Sequence, residues 1–293
     1  MVNLLNSQFS LPDGRKLGYA EIGEGSPVIY FHGTASSRLE INLLRQLTQK
    51  HLKLIAIDRP GYGLSTYRPR RTLEDFNSDV NALIDHIGLE HFAVLGWSGG
   101  GTFALTYIAN NQDRVSQVLI VATPNLPFDP STAHNLPLAR YLMKLTFIGK
   151  IAIRQLQREL LQAAGKPEVF LATPQGRHLL HGATKRDLEF FHDPDWMKLM
   201  YRAMVEAFRQ GEESIKAIVD EHRLFLRPWN LPFDKIDGNR LHIWHGNDDL
   251  TCLVTNAYSL AKTIPNANLE VFKDAGHYVM YDHLERMALV LDA

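Results

Sequence analysis

The chain has 293 residues, 45% of them hydrophobic and 22% charged, with a formal net charge of −1. That size suits an α/β domain carrying an insertion, and the composition is that of a soluble globular protein with a large core. The near-neutral balance offers no field for nucleic acid or an anionic membrane, and the single cysteine, Cys252, excludes an internal disulfide and points to a reducing compartment.

From the N-terminus, MVNLLNSQFSLPDGRKLGYAEIG lacks the basic-then-apolar order of a signal peptide, and no later apolar run is long enough to span a bilayer. A cytoplasmic chain with no membrane span is therefore expected. The stretch FSLPDGRKLGYAEIG carries a Pro-Asp-Gly turn signal between two short runs and predicts a hairpin. PVIYFHG, LKLIAIDRPGYGLS, FAVLGWS, VSQVLIVATP and RLHIWHGNDD are apolar runs ending at turn residues. They suit strands buried on both faces of a parallel sheet, with LEVFKDAGH as the last strand. Between them lie amphipathic stretches. SRLEINLLRQLTQK has apolar residues at helical spacing, TLEDFNSDVNALIDHIGL opens with Thr72 as an N-cap before acidic residues, and GTFALTYIANN follows a serine. Alternation of strand and helix predicts a parallel sheet with crossover helices. Between about Asn125 and Asp237 the pattern turns almost wholly helical. This predicts an insertion above the strand ends, hinged at the prolines of TPNLPFDP and RPWNLPFD.

The chemistry concentrates at Gly96-Trp97-Ser98-Gly99-Gly100, which fits G-x-S-x-G. A serine on a sharp strand-to-helix turn projects its oxygen out of the sheet, and neighbouring glycines remove the collisions that so tight a turn would cause. The helix that follows aims free N–H groups at the same place, which favours developing negative charge. The pentapeptide is common by chance; its position after an apolar strand and before a helix gives it weight. The same glycines also match a dinucleotide fingerprint in Gly99-Gly100-Gly101-Thr102-Phe103-Ala104. The next strand ends LIVATPN without the acid that a ribose would need, which disfavours that reading. A nucleophilic Ser98 needs an acid and then a histidine later in the chain. Asp248 or Asp249 follows one strand and His277 follows the last, both on loops where strand C-terminal ends gather.

Taken together, YFHGTASSR, AIDRPGYGLS, VLGWSGGG, WHGNDDLT and DAGHYVM resemble, in order and over nearly the whole chain, the cap-bearing serine hydrolases of the α/β-hydrolase superfamily. The resemblance implies an α/β fold: a mostly parallel eight-stranded sheet flanked by helices, with a helical cap inserted before the last two strands. Residues 1–124 and 238–293 would form the core and residues 125–237 the cap. Family spacing puts the acid three residues after Gly246, which selects Asp249 over Asp248. It also assigns oxyanion donors to the backbone N–H groups of Thr34 and Gly99, with the Thr34 hydroxyl as a candidate third donor. The HG-x form here differs from the HGGG of many lipases and esterases.

Serine at the elbow disfavours the dehalogenases and epoxide hydrolases of this fold, which use aspartate, and G-W-S-G-G departs from the G-G-S-W-G usual in proline iminopeptidases. The expected function is a carboxylic ester hydrolase acting on a small or medium apolar acyl substrate through an acyl-enzyme. Carbon–carbon hydrolysis, amide cleavage, lyase chemistry and a slow receptor-like member remain as alternatives. No cofactor and no metal is implied. His178 and His181 lack an acidic or cysteine partner at ligand spacing. His32 is expected to anchor the oxyanion loop. His242 and His245 should face opposite sides of their strand, and His283 lies in a helical setting with its ring toward solvent. Asp58-Arg59-Pro60-Gly61-Tyr62-Gly63 reads as a structural turn. Cys252 and Trp97 read as packing residues, and the aromatic and methionine residues of DPDWMKLMYRAMVEAF as core with one face open to substrate.

Overall fold

The computed structural model describes residues 3–124, 146–225, 227 and 231–293. Eight strands form one sheet in the order β1-β2-β4-β3-β5-β6-β7-β8. The hairpin is β1 (Leu5–Ser10) and β2 (Lys16–Ile22), antiparallel to each other; β2 also runs antiparallel to β4 (Leu52–Ile57). From β4 the pairing is parallel through β3 (Ser26–Phe31), β5 (Phe92–Trp97), β6 (Val115–Val121), β7 (Leu241–Gly246) and β8 (Asn268–Phe272).

Register explains why the central runs, unlike β1 and β8 at the edges, are mostly apolar. Successive side chains on a strand point to opposite faces. Val28 and Tyr30 of β3, with Leu54, Ala56, Leu95 and Trp97, belong to one apolar cluster. Their neighbours Ile29, Phe31, Ile55, Ile57, Val94 and Ile120 belong to the other. Both faces are covered by helices, so no polar alternation is tolerated. Helix α1 (Leu73–His86) packs on the second face through Phe76 and Val80, as does α2 (Gly99–Asn110) through Phe103 and Leu105. Thr72 caps α1 as expected: its hydroxyl accepts from the Asp75 N–H (3.1 Å), and the Asp75 carboxylate accepts from the Thr72 N–H (2.8 Å).

The stretch read as helical after β3 winds as a 3₁₀-helix over Arg38–Lys50, not as an α-helix. Its buried Ile41, Leu43, Leu44 and Leu47 define a face that either winding can present, so apolar spacing alone did not select the tighter turn.

A helical region lies between β6 and β7. Its described residues include α3 (Thr146–Gln162), α4 (Pro167–Leu171), α5 (Pro174–His181), α6 (Lys185–His192), α7 (Pro194–Ala207) and α8 (Glu212–Phe225). Capping signals delimit several of these helices. Thr184 and Asp187 form a capping box on α6, while Asp193 caps α7 with Pro194 in its first turn. Met197, Met200, Tyr201 and Met204 of α7 join the first apolar cluster, so they are core residues. After β7, α9 (Thr255–Thr263) packs on the second face through Ala257 and Leu260, and after β8, α10 (Leu284–Leu291) on the first through Leu284 and Met287. Residues 125–130 of the first proline-rich hinge stretch and 228–230 of the second lie outside the described residues.

Candidate active site

The turn from β5 into α2 is strained. Ser98 has φ 52° and ψ −128°, a backbone conformation that a residue with a side chain rarely adopts. Two hydrogen bonds hold it there: the Ser98 N–H donates to Val121 O (2.8 Å), and Ser98 O accepts from the Gly101 N–H (2.9 Å). The glycines that follow allow a close approach. A Cβ on Gly99 would lie 2.1 Å from Thr34 Oγ1, and one on Gly100 would lie 1.9 Å from Phe31 O. Only glycine lets the start of α2 pass this near the end of β3. As a result Gly99 and Thr34, far apart in sequence, are neighbours. Neither of their N–H groups donates to another described residue.

Loops after β7 and β8 complete the arrangement. His277 Nε2 lies 3.0 Å from Ser98 Oγ, and His277 Nδ1 lies 2.8 Å from Asp249 Oδ2. This spacing fits a ring that donates from Nδ1 to the carboxylate and accepts at Nε2 from the serine hydroxyl. Of the two neighbouring acids, only Asp249 faces the histidine; Asp248 is exposed and accepts from Asn247 Nδ2 (3.2 Å). The other oxygen of Asp249 accepts from the N–H groups of Thr251 and Cys252, each at 2.8 Å. Burial opposes ionisation of Asp249, yet His277 and His245 beside it hold its carboxyl well below the usual carboxylate range.

The histidine loop is fixed from two sides. Trp97 Nε1 donates to His277 O (3.0 Å), and the Tyr278 N–H donates to Asp187 Oδ1 of α6 (3.1 Å). Trp97 thus does more than pack: its indole stands 5.3 Å from the His277 ring and holds that residue's carbonyl.

The loop His32-Gly33-Thr34 is held by buried charge. Arg59 Nη1 donates to His32 O (2.5 Å) and Nη2 to Gly33 O (2.9 Å). From the other side Glu40 accepts from the Gly33 N–H (3.0 Å) and from the Tyr30 hydroxyl. Glu221, on α8, accepts from Arg59 Nε (2.6 Å), Arg59 Nη2 (3.0 Å), Arg71 Nη2 (3.0 Å) and the Thr34 hydroxyl (3.2 Å). The last of these corrects one expectation. The single hydroxyl proton of Thr34 goes to Glu221, so that group is not free to be the third donor expected of it.

Sequence reasoning missed Glu221, Arg71, Glu40 and Asp187. The one available signal was Asp58-Arg59 directly after an apolar strand, since an arginine there demands a counter-charge from elsewhere in the chain. Read as a turn, Asp58 in fact pairs with Arg38 (2.7 Å) and Arg59 with Glu221, all four side chains being buried.

The remaining histidines behave variously. His32 is buried, and its Nδ1 donates to Gly33 O (2.8 Å). Burial and the nearby Arg59 guanidinium keep its ring neutral, well below the ordinary imidazole range. His245 is buried against Asp249 (3.4 Å) and Cys252 O (2.7 Å), while His242 on the other face is half-buried. His283 does not point freely to solvent; it stacks on Phe272 with ring centroids 4.2 Å apart. Among the described residues no group of three or more His, Cys, Asp or Glu side chains is placed to hold a metal. No helix among them is long and apolar enough to cross a membrane.

Comparison with known proteins agrees with this architecture. The family described as alpha/beta hydrolase fold matches residues 26–284, and the chain belongs to that family. A putative proline iminopeptidase of Mycoplasma pneumoniae is 25% identical over 303 residues, covering 90% of this chain and 92% of its own. A non-heme haloperoxidase of Rhodococcus erythropolis is 26% identical over 275 residues, covering 90% of each. Among solved structures, an esterase from Exiguobacterium antarcticum superposes with a TM-score of 0.68 at 21% identity over 98% of each chain, a likeness of fold.

Proposed function

We propose that this protein is a serine hydrolase that cleaves carboxylic esters with a small or medium apolar acyl group. The observation that carries the reading is the chain of contacts from Asp249 through His277 to Ser98, at 2.8 and 3.0 Å. In the first half-reaction His277 Nε2 takes the Ser98 proton as Oγ attacks the ester carbonyl. Asp249 holds the ring in the required tautomer and stabilises the imidazolium without itself becoming protonated. The Thr34 and Gly99 N–H groups receive the tetrahedral oxyanion. His277 returns the proton to the departing alcohol. In the second half-reaction it deprotonates the water that releases the acid and regenerates Ser98.

Residues 125–237 are assigned as a cap that shapes the acyl site. Support comes from α8, whose Phe225 lies 3.3 Å from the position a Cβ would take on Gly99. An apolar ring there suits an apolar acyl chain.

Labelling with a fluorophosphonate probe, followed by peptide mass mapping, tests the reading. A stoichiometric adduct on Ser98, lost in His277→Ala, is the expected result. A folded protein that gives no adduct would overturn it. Amide cleavage is the second reading, favoured by the full-length match to a putative proline iminopeptidase. Comparing a p-nitrophenyl ester with a prolyl arylamide separates the two. Sustained ester turnover excludes a receptor-like role with a single slow cycle.

A further inference from the structure

Among the described residues Glu221 is the one carboxylate of the helical insertion that reaches the loop His32-Gly33-Thr34, and it does so by two routes. It accepts directly from the Thr34 hydroxyl (3.2 Å). It also grips Arg59 with both oxygens (2.6 and 3.0 Å), and Arg59 in turn holds the carbonyls of His32 and Gly33 (2.5 and 2.9 Å). Glu221 and Arg59 are both 0% exposed, and Arg71, which shares Glu221, is 5% exposed. Arg59 is further wedged between rings, its guanidinium carbon 4.9 Å from the Tyr62 centroid and 5.0 Å from that of Phe103. Phe103 belongs to α2, the helix whose N-terminus supplies the Gly99 N–H.

Burying three charges for stability alone is a poor use of them, because apolar side chains of similar volume stabilise a core as well or better. What such a cluster does supply is direction. Two carbonyls and one hydroxyl of a three-residue loop are fixed by groups that cannot rotate away without leaving a buried charge unpaired. The direction fixed is that of the peptide between Gly33 and Thr34, because its carbonyl oxygen is held by Arg59 and its N–H is the Thr34 donor. A planar trans peptide sets its N–H opposite its C=O. Holding Gly33 O therefore aims the Thr34 N–H.

We propose that Glu221 is a positioning residue for the oxyanion site: through Arg59 and the Thr34 hydroxyl it sets the orientation of the Thr34 N–H. This rests on the reading of Ser98 as nucleophile and of Thr34 as an oxyanion donor. It goes beyond that reading in giving the insertion a part in transition-state stabilisation, apart from any role in shaping the acyl site.

The test uses the full chain in three variants, Glu221→Gln, Thr34→Val and Thr34→Ser, with a p-nitrophenyl ester as substrate. A trifluoromethyl ketone, whose Ser98 adduct carries the oxyanion, serves as the probe of the site. Glu221→Gln is expected to keep stoichiometric fluorophosphonate labelling of Ser98 and an unchanged KM. Its kcat should fall about 10- to 100-fold, short of the roughly 10²- to 10³-fold loss on deleting a donor outright. The inhibition constant of the ketone should rise by the same factor, because only oxyanion binding has weakened. Thr34→Val cuts one route alone and should lower kcat about 10-fold, with Thr34→Ser restoring it. A folded Glu221→Gln with wild-type kcat and ketone affinity would overturn the proposal, as would a raised KM at constant kcat. If Glu221→Gln fails to fold, Thr34→Val decides: wild-type turnover there overturns the proposal as stated, since it requires the Thr34 hydroxyl as well as Arg59. A wild-type chain that neither labels nor turns over would instead defeat the reading of Ser98 itself.

Discussion

The core and the insertion each bring buried carboxylates to the same strand ends, but they set them differently. In the core, Asp249 is satisfied almost within its own loop: two N–H groups come from Thr251 and Cys252, and the imidazoles of His245 and His277 complete its surroundings. In the insertion, Glu221 is satisfied by groups of the core, while Asp187 is shared between the Thr184 N–H of its own capping box and the core. Glu221 takes Arg59, Arg71 and Thr34; Asp187 takes the Tyr278 N–H beside the histidine. A carboxylate satisfied locally can be recognised from its motif. One satisfied across the fold cannot, and it ties two regions into one structure. The insertion is therefore fastened at both the His32-Gly33-Thr34 loop and the histidine loop.

Substitutions can break this contrast in order of expected effect. Ser98→Ala should lower ester kcat by about 10⁶-fold, with a melting temperature no lower than that of the parent. Asp249→Asn should cost about 10⁴-fold by misplacing the His277 proton, whereas Asp248→Asn, altering an exposed side chain, should leave kcat unchanged. Steady-state kinetics on the three variants checks both statements, and loss of activity in Asp248→Asn alone would reverse the assignment of the acid.

On the insertion side, Glu221→Ala should destabilise the fold by about 3–5 kcal/mol in chemical denaturation, because it strands Arg59 and Arg71 in the interior. The pH dependence of stability has a definite sign. The folded state lowers the carboxyl pKa of both Asp249 and Glu221: burial opposes this in each, and it is outweighed by histidines around Asp249 and by arginines around Glu221. Their contributions are fully present above the unfolded-chain values of about 4 and fade as pH falls through the lowered folded values. The stability gap between wild type and either neutral variant should therefore narrow below about pH 4.

Glu40 should behave in the opposite sense. Burial raises its carboxyl despite hydrogen bonds from Tyr30 and the Gly33 N–H and the charge of nearby Arg59. Stability from this group falls as pH climbs from its unfolded value toward its folded one. Glu40→Gln keeps the acceptor for Gly33 and Tyr30 while removing the buried charge. It should change stability at neutral pH by no more than about 1 kcal/mol, in the stabilising direction, and a large loss in thermal unfolding would show that the charge itself is needed.

Much of the fold and of the site was legible because the signals are local. Apolar runs ending at glycine or aspartate marked the strands, and Thr72 marked a helix start by a capping box closed within four residues. Ser98 stood out because a tight turn between strand and helix leaves a trace in the glycines around it. The choice between Asp248 and Asp249 was not a local matter, since both have the same chemistry and adjoin in sequence. The structure separates them by which side chain turns inward to His277. The winding of Arg38–Lys50 was hidden for a related reason, because a run of apolar positions constrains a face and not a pitch.

By itself the amino-acid sequence determined the alternation of buried strands and covering helices, the strained serine turn and the kinds of side chain available for proton transfer. These follow from steric and hydrophobic rules acting over a few residues. Tertiary structure alone decided that Gly99 lies against Thr34 and that Glu221 holds Arg59, and it set against the histidine the aspartate, Asp249, that family spacing had selected. Those partners are separated by 65, 162 and 28 positions, and what joins them is the crossing of parallel strands and the need to neutralise charge inside a dry core.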